Sequence, residues 1–255
     1  MKDNTNVISR LNGSDWAIHV DKLYEIRDFV ETMEVRDVID AQETEWAVNK
    51  NEIPLDDEEE IPVTERGMAV LPVHGTIFHR ANMLSNFSGG TSTRALNATL
   101  KRLDERDDVQ HVVMDVDSPG GMVFGMSEVA ETIRNMETET TSIATGGMHS
   151  AAYFIGSAAD HVFLTPNASI GSIGVFTMLT SRKEQLDERG IDVQIVRSTP
   201  LKAKPHPAEQ IDEDSVKVAQ QRIDKHHEEF VSQVAQNRNL SKEFVDTNMA
   251  DGKSR

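Results

Sequence analysis

Val109–Met136 reads VQHVVMDVDSPGGMVFGMSEVAETIRNM, and its pattern changes period halfway along. The first third is a short apolar run rich in valine, of the kind that forms a strand buried on both faces. The last third spaces its apolar residues at three- and four-residue intervals, as an amphipathic helix does. Between them stands Asp117–Gly121, DSPGG, where proline fixes one φ and two glycines permit a turn that side chains would forbid. Strand, glycine turn and helix in this order predict a βα unit.

The same unit recurs on both sides. MAVLPVHG, TSIAT, HVFLT, IGSIGVFT and VQIVRS read as further short strands bounded by Gly, Pro, Asp or Ser. TRALNATLKRLDER, SAAYFIGSAA and LTSRKEQLDERG carry helical spacing between them, and DEDSVKVAQQRIDKHHEEFVSQVAQNR predicts one long final helix. The alternation predicts an α/β domain with largely parallel sheets over residues 67–255. Residues 1–66 differ. Val20, Leu23, Ile26, Val30 and Met33 form a helical stripe, followed by the acidic, proline-containing NEIPLDDEEEIPVTERG, so an accessory helix and a solvated linker are expected there.

Composition narrows the function classes. Across 255 residues, 43 acids stand against 26 bases, a formal net charge of −17 that repels bare nucleic acid and anionic lipid. With no cysteine, disulfides, thiolate metal sites and a cysteine nucleophile are excluded. No secretory leader pattern opens the chain and no apolar run is long enough for a membrane span, so an intracellular protein without a membrane partner is expected. No nucleotide-binding signature appears, and no cofactor or metal is expected. The neighbours His226 and His227 lack the spacing that aims two imidazoles at one ion and read as a solvated helix face.

Three glycine turns close predicted strands: Asp117–Gly121, Gly146–Ser150 (GGMHS) and Gly171–Val175 (GSIGV). Strand ends of open α/β sheets are where ligands bind. Ser150 heads the small-residue run SAAYFIGSAA, which fits a helix N-cap or a nucleophile whose neighbours Ala151 and Ala152 leave room for a carbonyl. Adjacent residues seldom point at one another, which disfavours His149 as its base. Lys202, in VRSTPLKAKPHP, is the other candidate, with Lys204 as a nearby like charge. A lysine serves as base only when neutral, which demands local desolvation. Tyr153 and Phe154 read as core, and HRANMLSNFSGG as a loop on the substrate side.

From Met68 to Arg238 the chain resembles the signal peptide peptidase A (protease IV) family of serine peptidases, which shares the Clp protease/crotonase-like spiral of ββα units. AVLPVHGTIFHRANMLSNFSGGTS resembles the opening of the phage head maturation, or prohead, protease branch. VVMDVDSPGGMVFGMSEVAETI, SAAYFIGSAADHVFLTPNASIGSIGVF and RIDKHHEEFVSQVAQNR continue the likeness. The resemblance implies a serine endopeptidase with Ser150 as nucleophile, Lys202 as general base, Ser172 bonded to that lysine, and an oxyanion hole from backbone amides of Gly120, Gly121 and Ala151. It implies scaffold and capsid precursors, and the chain itself, as substrates inside an assembling prohead in the host cytoplasm, and a ring-like homo-oligomer. Two departures stand out. STPLK places Thr199 and Pro200 where the family commonly has a glycine and its neighbour, so a stiffer loop is expected; and the chain stops at NMADGKSR where the family usually continues, so a truncated or processed form is expected. The rival readings are a host-type signal peptide peptidase, a crotonase-like acyl-CoA enzyme using only the DSPGG turn, and a non-catalytic scaffold.

Overall fold

A computed structural model describes residues 15–18, 61–80 and 90–255. In chain order these form β1 (Asp15–Ile18), β2 (Met68–His74), β3 (Thr76–Phe78), β4 (Gly90–Ser92) and α1 (Thr93–Asp104). Then come β5 (His111–Ser118), β6 (Gly120–Met122), α2 (Met126–Asn135), β7 (Glu139–His149) and α3 (Ala151–Gly156). β8 (His161–Leu164), β9 (Ser169–Gly171), β10 (Phe176–Thr177), α4 (Lys183–Glu188), α5 (Glu213–Asn237) and α6 (Lys242–Asn248) complete it. The stripe from Val20 to Met33 and most of the acidic run lie outside the described residues.

The opening unit folds as its pattern dictates. Val112, Met114 and Val116 of β5 are buried, and α2 buries Met126, Val129, Ala130 and Ile133. β5 pairs in parallel with β2 on one side and β7 on the other, and β7 carries β8 and β9, again in parallel, along its far edge. A second sheet runs β10-β1-β6-β3-β4, in which β3 is parallel to β4 and β6, whereas β1 is antiparallel to both its neighbours. The fold class is therefore α/β, with one sheet parallel throughout its described pairs and a second that is mixed.

Helices cover the sheets through their apolar stripes. Ser92 caps α1, its hydroxyl accepting from the Ala95 amide at 3.3 Å, and Leu96, Leu100 and Leu103 turn inward. Each such side chain contributes about 1.5–3 kcal/mol when fully buried. All six residues of α3 are buried. Beneath it the C-terminal half of α5 packs Phe230 edge-on against Phe154, ring centres 5.1 Å apart. Arg238 closes the contact by donating to the carbonyls of Ser157 and Ala159.

Two sequence expectations change. IGSIGVFT is not one strand: Gly171 at φ +112° and Ser172 at φ +53° break the extended run, leaving β9 and β10 on either side of a turn. VQIVRS, residues 193–198, forms no strand at all. Its hydrophobic pattern suits a ladder, but the chain there has no pairing edge, and Val196 is 90% exposed.

Candidate active site

Ser150 sits where β7 ends and α3 begins, at φ 53° and ψ −117°. For a residue with a Cβ this is a sparsely populated backbone state, tolerated only where surrounding contacts enforce it. Those contacts are visible. The Ser150 amide donates to the Gly171 carbonyl at 2.7 Å, and its carbonyl accepts from the Phe154 amide at 2.9 Å. The hydroxyl does not cap the helix; its one hydrogen bond among the described residues is a long one, 3.5 Å, to the Gly174 carbonyl. Ser150 thus holds the N-cap position of α3 in a strained elbow, but its hydroxyl makes no capping bond.

The glycine turn beside it is rigid. Ser118 donates to the Gly75 carbonyl at 2.6 Å and accepts from the Gly120 amide at 3.1 Å, while Asp117 accepts from the Gly147 amide at 2.9 Å. Gly120 has φ +95°, and a methyl there would meet the carbonyl oxygen of Ala17 at 2.3 Å, that of His149 at 2.9 Å and the Ala151 amide at 3.0 Å. At Gly121 the backbone of Ile77 lies 2.0 Å from where a Cβ would stand. Both positions thus demand glycine for space. Gly120, Gly121, Ser150 and Ala151 are brought to one corner, and the Gly171–Val175 turn carrying Ser172 borders it through the Gly171 and Gly174 carbonyls.

Ser172 is buried, with its amide on the Lys253 carbonyl at 2.8 Å. Lys202 is exposed, its carbonyl accepts from Arg197 Nε at 2.7 Å, and among the described residues its ammonium bonds neither Ser150 nor Ser172. The loop around it is firmly tied: the Arg197 guanidinium grips the Glu209 carboxylate with both prongs. Lys204 does not stand by as a free like charge, because its ammonium pairs with Asp212 and lies 3.8 Å from Asp214. That bond, and then those from Ser215, hold the Asp212 carboxyl well below its ordinary range.

The remaining candidates resolve simply. The His149 imidazole reaches Ser169 at 2.9 Å. Tyr153 and Phe154 are core residues, and burial pushes the Tyr153 phenol up against a smaller opposing pull from Arg238. His226 departs from the solvated-face expectation: it is only 22% exposed in its side chain and stands 3.2 Å from the buried carboxylate of Asp15, which Arg222 also grips. The i, i+4 spacing of Arg222 and His226 was the available signal, but the acid they face is more than two hundred residues away in sequence. Among the described residues no cluster of three or more His, Asp or Glu is placed to hold a metal, and no helix is long and apolar enough to cross a membrane.

Comparison with known proteins gives this corner its relatives. Residues 134–254 match Peptidase family S49, and residues 76–185 match Clp protease. The Head-tail preconnector protein GP5 of Enterobacteria phage P21 is 32% identical over 181 residues, covering 70% of this chain and 36% of that protein. Capsid assembly protease C of Escherichia phage lambda is 30% identical over 181 residues, 70% of this chain and 41% of its own length. Protease 4 of Haemophilus influenzae is 28% identical over 182 residues and is covered over 29% of its length. The chain thus spans well under half of each of these three relatives. Ser150 heads the small-residue helix inside both matched regions, so the chain carries Peptidase family S49 and Clp protease domain matches that overlap on this corner.

Proposed function

We propose that this chain is a serine endopeptidase that cleaves scaffold and capsid precursor proteins within an assembling phage head, using Ser150 as nucleophile and Lys202 as general base. The observation that carries the reading is the strained Ser150 elbow: a hydroxyl with no capping role, set against the Gly120–Gly121 turn and the first amide of α3. In the reaction the neutral Lys202 amine takes the hydroxyl proton as Ser150 Oγ attacks a peptide carbonyl. Backbone amides of Ala151 and of the Gly120–Gly121 turn stabilise the oxyanion, the lysine returns the proton to the leaving amine, and water then releases the acyl group. Ser172 orients the amine.

Because Lys202 makes no hydrogen bond to Ser150 among the described residues, we infer that a neighbouring copy supplies it in a homo-oligomer. The extended segment that presents the lysine supports this, since Ile191, Val193, Val196 and Leu201 all expose apolar surface there with no ladder to join. The names of two relatives, a phage capsid assembly protease and a phage head-tail preconnector protein, favour the prohead as the setting; the Putative signal peptide peptidase SppA of Enterococcus faecium, 29% identical over 160 residues (60% of this chain, 46% of that protein), keeps that activity as the second reading. The test is incubation of the full gene product, as wild type, Ser150→Ala and Lys202→Ala, with its own capsid and scaffold proteins, mapping cut sites by mass spectrometry. Site-specific cuts lost in both variants are expected; cuts that persist in either variant refute the pair.

A further inference from the structure

β1 is four residues long, yet it bridges two edges that nothing else among the described residues joins. Trp16, Ala17 and Ile18 pair with Met122, Gly121 and Gly120, while Asp15 and Trp16 pair with Thr177 and Phe176 on the other side. Both pairings are antiparallel, and all four residues are buried. The strand lies along the glycine turn with its Ala17 carbonyl oxygen at the point where Gly120, the His149 carbonyl and the Ala151 amide converge. A peptide threaded past Ser150 would take this path, giving backbone hydrogen bonds to both edges and offering one carbonyl at the elbow.

Two residues upstream of that carbonyl, and on the same face of the strand, stands Asp15. Its carboxylate is 3% exposed at the residue level, and burying an unpaired carboxylate costs far more than a strand of this length recovers. Here it is fully met: Arg222 Nε lies 2.9 Å from Oδ1 and 2.7 Å from Oδ2, and His226 Nε2 lies 3.2 Å from Oδ2. Both nitrogen-bearing partners come from one face of α5. They form a ready-made receptor for an acidic side chain at a set distance from the reacting carbonyl, while the complete burial of Ala17 leaves room only for a small residue there.

We propose that Arg222 and His226 make an acid-selecting substrate subsite in a groove between β6 and β10, and that the chain's own Asp15–Ile18 occupies it as a tethered, substrate-like strand. The proposal rests on the peptidase reading above. It assigns the enzyme peptides with Asp two residues before a small residue, whose carbonyl carbon bonds Ser150 Oγ as the following amide nitrogen departs with a proton; water then restores the serine and frees the carboxylic acid.

The test uses the full chain and a fluorescence-quenched peptide of residues 12–21, NGSDWAIHVD, with the Asp kept or replaced by Asn or Lys. The Asp peptide is expected to be cut with kcat/KM about tenfold above Asn and further above Lys, and Arg222→Glu is expected to reverse the order. An ion pair serving structure alone would make Arg222→Glu slow all three peptides equally, and that result overturns the subsite; Arg222→Gln, read as a narrowed preference, decides the matter should the charge reversal not fold. Asp15→Asn in the chain is expected to raise hydrolysis of the Asp peptide several-fold by vacating the groove, and an unchanged or lower rate overturns the tethering. If folded wild type cuts no peptide, the peptidase reading fails separately. Anisotropy of the labelled peptides on Ser150→Ala then reads the subsite alone, where equal affinity for Asp and Lys refutes it.

Discussion

The corner around Ser150 and the segment around Lys202 are built on opposite principles. Ser150 is held by the longest parallel strand, a fully buried helix and a glycine turn too tight for any Cβ, so its position follows from the core. Lys202 rides on an extended, exposed segment whose order comes from polar clasps, Arg197 to Glu209 and Lys204 to Asp212, rather than from packing. One half of the proposed pair is therefore fixed by folding of the single chain. The other is tied through its own loop, and in the proposed homo-oligomer a neighbouring copy would bring it to the serine.

The largest test of that contrast is catalytic. Ser150→Ala and Lys202→Ala should each lower peptide hydrolysis by roughly a thousandfold or more, with thermal unfolding unchanged. Mixing the two dead variants as reassembled oligomers should then recover roughly a quarter of the wild-type rate, because one contact in four unites an intact serine with an intact lysine. No recovery would return the lysine to its own subunit. On the serine side, Phe230→Ala removes the ring under α3 and should cost about 3–5 kcal/mol in denaturant unfolding. No single side chain in the lysine segment should approach that. Val196→Asp, at a 90% exposed site, should change the stability of one chain by less than about 0.5 kcal/mol while shifting sedimentation toward smaller species.

The smallest effect concerns acid. Asp212 has its folded pKa depressed below the ordinary carboxylate value of 3.8, chiefly by the Lys204 hydrogen bond. A depressed carboxyl contributes stability above that value and loses it as pH falls through the lower, folded one. Hydrogen exchange across residues 198–206 should accordingly quicken below about pH 4, and Lys204→Met should remove this dependence. Equal acid sensitivity in Lys204→Met would show that polar clasps do not hold the segment.

Much of this architecture was readable beforehand. The valine-rich runs and 3.6-residue stripes placed β2, β5, β7, β8, α1, α2, α3 and α5, because burial imposes a period that survives in the sequence. Gly120 and Gly121 were legible as glycines beside a strand end, although they open β6 rather than lie in a turn, and Ser150 was legible as the head of α3. VQIVRS misled, since apolar alternation reports a surface seeking contact without saying whether a strand of the same chain provides it.

What the amino-acid sequence determined by itself was therefore local: which segments are strands or helices, where glycine is obligatory, and which serine could be a nucleophile. The tertiary structure decided which remote residues meet. It set Asp15 against Arg222 and His226, laid β1 between β6 and β10, and placed Lys202 on an exposed loop without a hydrogen bond to Ser150 among the described residues. Such pairings depend on how separate elements close around a core, and a contact across two hundred residues leaves no periodic trace along the chain for a linear reading to detect.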